Sequence, residues 1–207
     1  PVLVDVAFHA QPGTVTAIVG PSGSGKTTIA RLISRFWDVD SGAVMVDGVD
    51  IRELGTEQLM SRLSMVFQDV YLFDDSLIAN IRVGRPDASD EEVFRAADLS
   101  GVTSIANRLG WHTPVGEGGR LLSGGERQRV SVARALLKQA PIVLFDEATS
   151  ALDAENEANI LAAMDELREQ STFIVIAHKL DTIKSADQIV VLDEHGQVSQ
   201  LGTHSEL

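Results

Sequence analysis

Four short runs in this chain are apolar: Val15 to Val19, broken only by Thr16, and without a break Ile142 to Phe145, Phe173 to Ala177 and Ile189 to Leu192. They are rich in Val and Ile and only as long as a strand, which predicts central sheet strands covered on both faces. Helical periodicity follows several of them, over Lys26 to Phe36, Glu155 to Glu169 and Lys179 to Lys184. Strands alternating with helices imply right-handed crossovers and a parallel sheet. From Gln68 to about Gln139 the rhythm changes, with helix signals and little strand character. Ser89 to Glu92 and Ser123 to Glu126 both read as capping boxes, opening helices over Asp90 to Asp98 and through Lys138. The chain is thus expected to be one domain, with a core over about 1–67 and 140–207 and a helical lobe inserted at about 68–139. Alternating segments at Val2 to Phe8, Ala43 to Val46 and Gln197 to Leu201, beside the turn signals Asp47-Gly48 and His195-Gly196, suggest a small antiparallel patch on one edge.

Composition narrows the function. A chain of 207 residues that is 44% hydrophobic can bury a sizeable core. With 17 Lys and Arg against 30 Asp and Glu, the net charge of −13 argues against a surface for nucleic acid or anionic lipid, so phosphate binding must come from local geometry. Cysteine is absent, which removes disulfides and thiolate metal sites. No apolar run approaches the ~20 residues that span a bilayer. There is no signal-peptide pattern, and the chain opens on an alternation already under way, as expected of an excerpt from a longer protein.

Two segments carry phosphate chemistry. Gly20-Pro-Ser-Gly-Ser-Gly-Lys-Thr-Thr28 fits G-x-x-x-x-G-K-[ST] and lies between an apolar strand and a helical run, the context that pattern requires. Glycines turn backbone N–H groups inward around phosphates, and the helix N-terminus adds its positive dipole end. Lys26 reaches the β and γ oxygens, and Thr27 offers a hydroxyl to Mg²⁺. The second segment, Ile142 to Glu147, sets two acids at the end of a buried strand, where open α/β sheets bind ligands. Asp146 suits a metal ligand, and Glu147 a group that orients or deprotonates the attacking water. Taken alone, that pair could equally be two acids stabilising a helix start.

Leu122-Ser-Gly-Gly-Glu126, continued by Arg127-Gln128-Arg129, resembles the signature sequence of ABC transporter ATPase domains. Ser123 caps a helix whose amides, left open by Gly124 and Gly125, form a second anion site. An ordinary capping box explains Ser123 and Glu126 but not two consecutive glycines. Other stations follow in the family's order. Gln68 resembles the Q-loop glutamine, a contact to Mg²⁺ and water. Ser150-Ala151-Leu152-Asp153 resembles the D-loop, and His178 the switch histidine that contacts the γ-phosphate. Thr113 to Gly119 is similar to the X-loop of exporter-type members, in which Glu117 would face the coupling helices of the membrane part. Arg35 to Gly42 and Ser150 to Glu157 are similar to siderophore-linked iron transport members of that group.

The resemblance implies a P-loop NTPase fold: α/β, with a RecA-like, mostly parallel sheet core, a small antiparallel β subdomain and an inserted α-helical subdomain. It implies ATP and Mg²⁺ as ligands and a second ATPase domain, in a homo- or heterodimer, as partner. Each signature would close on the ATP held by the other copy's Gly20 to Thr28, coupling hydrolysis to transport by a transmembrane domain at the cytoplasmic face of the inner membrane. The family's adenine-stacking aromatic falls before Pro1. Three other readings are weaker. A GTPase would need Asn where His178-Lys-Leu-Asp181 has His, and a glycine that Asp146 to Thr149 lacks. A soluble clamp on nucleic acid or ribosome conflicts with the acidic composition. A regulatory subunit without turnover conflicts with intact Lys26, Glu147 and His178.

Overall fold

The computed structural model describes residues 2–67, 69–146, 169–177 and 180–207, with positions 158, 161, 162, 164, 165 and 167 between them. In chain order the elements are β1 (Val15–Val19), α1 (Lys26–Ile33), β2 (Met45–Val46), β3 (Val49–Asp50), α2 (Thr56–Arg62), β4 (Leu63–Val66), α3 (Leu77–Arg82), α4 (Asp90–Leu99), α5 (Thr103–Leu109), α6 (Gly124–Lys138), β5 (Ile142–Asp146), β6 (Thr172–Ile176), α7 (Leu180–Ser185), β7 (Gln188–Leu192) and β8 (Val198–Gly202). Six strands form one sheet in the order β4-β5-β6-β1-β7-β8. The four apolar runs supply β1, β5, β6 and β7. β1 runs parallel to both β6 and β7, and β5 parallel to β6. The helix expected over Glu155 to Glu169 lies largely outside the described residues; positions 158, 161, 162, 164, 165 and 167 are helical. Among the described residues no helix is long and apolar enough to cross a membrane.

The chain divides into two compact units. The first joins Pro1–Ser64, Pro141–Asp146 and Ser171–Leu207. Its core is the layer of side chains on β1, β5, β6 and β7, where the Phe145 and Phe173 rings stack with centroids 6.3 Å apart and Ile18, Leu144 and Leu192 are buried. Each such side chain contributes about 1.5–3 kcal/mol by leaving water. α1 stops at Ile33, short of the expected Phe36. Arg35 takes a left-handed φ of 53°, its N–H reaches the Leu32 carbonyl and the Phe36 N–H that of Arg31. That is a Schellman closure built on an arginine in place of glycine. The Arg35 guanidinium then bonds the carbonyls of Ile51 and Leu54, which holds the unusual backbone in place.

The three alternating segments do not form one patch. Val2 to Phe8 is not a strand, because Asp5 breaks the extended run with a φ of 50° and the Val4 N–H bonds the Gly196 carbonyl. Ala43 to Val46 contributes only β2, paired antiparallel to β3 through Asp47-Gly48, both at positive φ as a type I′ turn demands. The segment near Gln197 becomes β8, which pairs antiparallel to β7 and closes one edge of the main sheet.

The second unit joins Met65–Ala140 and Glu147–Gln170. Both capping boxes are present: Ser89 and Glu92 open α4, and Ser123 and Glu126 open α6. α3 and α4 both pack on α6. A buried polar knot ties α3 to α6. Asn80 on α3, with no solvent exposure, accepts the Phe73 N–H and donates to the carbonyls of Phe73, Asp75 and Ser76. Arg134 on α6 donates to the carbonyl and side-chain oxygens of Asn80, both at 2.6 Å, and to the Tyr71 carbonyl. Burial lowers the pKa of this guanidinium to about 10, and the carbonyl oxygens around it meet its donors.

Candidate functional site

The glycine loop leaves β1 at Val19 and enters α1 at Lys26. Its first turn tolerates only glycine: a Cβ on Gly20 would lie 2.6 Å from the Leu192 carbonyl oxygen and 2.9 Å from Ser24 Oγ. Beyond it, Lys26 is buried at 6% exposure and its Nζ donates to the carbonyls of Gly20 and Pro21 at 2.9 and 2.8 Å. The loop therefore holds its own lysine in a curl, with the ammonium turned inside the turn it belongs to. No acid occupies the first turn of α1, so the positive end of that helix is not offset from within. Ser24 is buried as well, and its Oγ has no hydrogen-bond partner among the described residues. A buried hydroxyl without a partner in such a cradle suits a ligand oxygen.

Thr27 joins this loop to the carboxylate segment. Its hydroxyl donates to Asp146 Oδ1 at 3.1 Å, although 119 positions separate the two in sequence. Asp146 ends β5 and is 5% exposed. A hydroxyl and a carboxylate oxygen side by side, both oxygen donors, at the mouth of a phosphate cradle are a fitting donor pair for a hard divalent cation. Asp146, Thr27 and Gly20 to Thr28 are thus brought together. Gln68, Glu147, Ser150, Ala151, Leu152, Asp153 and His178 lie outside the described residues.

The signature segment belongs to the second unit. Leu122 is buried at 4% exposure and anchors the turn. Ser123 is the N-cap of α6: its hydroxyl accepts the Glu126 N–H at 3.2 Å, while Glu126 Oε2 accepts the Ser123 N–H at 2.8 Å. Gly124 is exposed, and a Cβ there would meet only Arg127 Nη2, 4.0 Å away. Burial raises the Glu126 pKa, but the Ser123 amide and the Arg108 guanidinium outweigh it and the net shift is downward. Glu117 is exposed in a 3-10 turn, Glu117–Gly119. The loop before it is stitched to the segment after Gln68: the Val115 N–H bonds the Asp75 carbonyl and the Leu77 N–H that of Thr113. Tyr71, Phe73 and Leu121 are exposed in these loops, at 57%, 52% and 56%.

Three residues here carry weight that sequence reasoning did not assign. Gln128, 3% exposed, donates to the Phe67 carbonyl and fixes the chain just before Gln68. Its signal is a polar residue on the core-facing side of α6, four positions before buried Val132. Asn80 and Arg134 gave no such signal, since their meeting depends on how α3 packs against α6.

A family model described as ABC transporter matches residues 3–150. The chain belongs to the ABC transporter family. The ATP-dependent lipid A-core flippase of Vibrio vulnificus (strain CMCP6) is 49% identical over 210 residues, covering 100% of this chain and 36% of the relative. The Beta-(1-->2)glucan export ATP-binding/permease protein NdvA of Agrobacterium fabrum (strain C58 / ATCC 33970) is 48% identical over 205 residues, 98% of this chain and 35% of that protein. A solved bacterial Atm1-family ABC exporter with ATP bound superposes with a TM-score of 0.94 at 45% identity, over 99% of this chain and 36% of that one. The chain thus spans about a third of the length of these ABC relatives.

Proposed function

We propose that this chain is the ATP-hydrolysing motor of a membrane exporter, working as one of two such domains at the cytoplasmic face of the inner membrane. The observation that carries the reading is the meeting of Thr27 and Asp146 at the mouth of the Gly20 to Thr28 cradle, 3.1 Å apart, with Lys26 beside them. It is what a P-loop ABC site needs for a triphosphate and its cation. The named relatives are a flippase and an export protein, which favours this reading over a soluble clamp.

In this reading the loop Gly20, Pro21, Ser22, Gly23, Ser24, Gly25, Lys26, Thr27 and Thr28 surrounds the phosphates, every residue but Pro21 having a backbone N–H to offer, and Lys26 exchanges its loop carbonyls for β and γ oxygens. Thr27, Asp146 and Gln68 would hold Mg²⁺, which would supply Lewis-acid stabilisation of the charge on the phosphate oxygens. Glu147 takes the proton of the attacking water and His178 contacts the γ-phosphate. From the second copy, Leu122, Ser123, Gly124, Gly125 and Glu126 present the open end of α6 to the same triphosphate, and Ser150 to Asp153 line the seam. Because ATP touches both copies only when they close, it favours the closed dimer by its differential affinity. The lobe at about 68–139 passes that closure to the transmembrane partner through Glu117 and its neighbours.

Calorimetric titration tests the cradle. Lys26→Ala should weaken Mg-ATP binding by roughly 10–100-fold, the scale of one lost charge-assisted contact or two. Unchanged affinity would remove Lys26 from the site.

A further inference from the structure

Glu126 sets an electrostatic problem for the end of α6. The helix start is favourable to an anion, yet its third residue is itself a carboxylate, and the capping box pins that carboxylate against the Ser123 amide. Arg108, on the last turn of α5, meets it: its Nη2 pairs with Glu126 Oε1 while Oε2 stays on Ser123. The neighbouring arginines are turned to other tasks, Arg127 to the Leu122 carbonyl and Arg129 to that of Gly101. The Arg108 side chain is 52% exposed and that of Glu126 16%, and an ion pair this close to water adds little to stability. Its consequence is local. A compensated carboxylate leaves the Ser123 to Gly125 end attractive to phosphate, whereas an uncompensated one a few ångströms away repels it.

We infer that Arg108 is a positioning residue for the shared nucleotide site: it neutralises Glu126 and keeps it in the capping box, so that the α6 terminus accepts the triphosphate bound by a second copy. This rests on the composite site proposed above. Arg108 touches no nucleotide itself and acts wholly through Glu126.

The test measures ATP-driven dimerisation in a Glu147→Gln background and steady-state hydrolysis without that substitution. Arg108→Gln should raise the ATP concentration for half-maximal dimerisation, and the KM, by about tenfold, with a smaller change in kcat. The shift should shrink in high salt, as a charge effect does. Arg108→Lys should restore most of the loss, and Arg108→Gln combined with Glu126→Gln should match Glu126→Gln alone. A merely structural Arg108 would leave the double variant as impaired as Arg108→Gln, and that result overturns the inference. So does an Arg108→Gln variant that dimerises like its parent. A parent that never associates with ATP overturns the composite site itself, and the inference with it.

Discussion

Glu147→Gln should lower ATP turnover by roughly 100-fold or more while Mg-ATP still binds, and a nucleotide-bound dimer should accumulate. Glutamine keeps the shape and one acceptor oxygen of the side chain but cannot take a proton at neutral pH. Glu147 directly follows Asp146, the buried acid at the end of β5 that already receives the Thr27 hydroxyl. On the proposed reading Asp146 takes the metal position, which leaves Glu147 for the water. On that reading binding rests on the loop, Lys26 and Asp146, none of which is substituted, so affinity and turnover should separate. Phosphate release at saturating Mg-ATP, beside a binding isotherm, checks both. Turnover within twofold of the parent would take Glu147 out of the chemistry.

Gly84→Ala should destabilise the chain by about 2–4 kcal/mol, although alanine is the smallest possible addition. Gly84 follows α3 where it crosses α6, and a Cβ there would lie 2.2 Å from the Arg134 carbonyl oxygen and 3.1 Å from its Cα. Those are backbone atoms in the middle of a helix, so no rotamer change relieves the contact. Pushing α6 away would also lengthen the Arg134 bonds to Asn80, at 2.6 Å, and leave a buried guanidinium short of acceptors. Urea titration should show a lower midpoint with an unchanged slope. A midpoint equal to the parent's would mean that α3 and α6 are not packed this tightly.

The two cases differ in what the sequence reveals. Lys26, Thr27, Asp146 and Ser123 are legible because their neighbourhoods are local: an apolar strand, a glycine turn and a capping box each lie within a few residues. α6 even begins and ends where its pattern says, from the Ser123 cap to Lys138. The Asn80–Arg134 knot is not legible, since its members are 54 positions apart and polar side chains carry no period that names a partner. Nor is the Schellman turn at Arg35, where a residue that disfavours positive φ is held there by the carbonyls of Ile51 and Leu54. Val2 to Phe8 misleads for the opposite reason. Its alternation is genuine, but Asp5 turns the backbone and Val4 gives its N–H to Gly196 before a ladder can form.

The most direct test of a triphosphate shared between two copies mixes two defective variants. Lys26→Ala spoils the phosphate loop and Ser123→Arg blocks the signature, so each alone should hydrolyse little ATP. A mixed dimer still contains one intact pair, the loop of the Ser123→Arg copy facing the signature of the Lys26→Ala copy. Mixing should therefore restore turnover that neither variant has. A mixture as inactive as its components, or a Ser123→Arg variant active on its own, would contradict a site built from both copies.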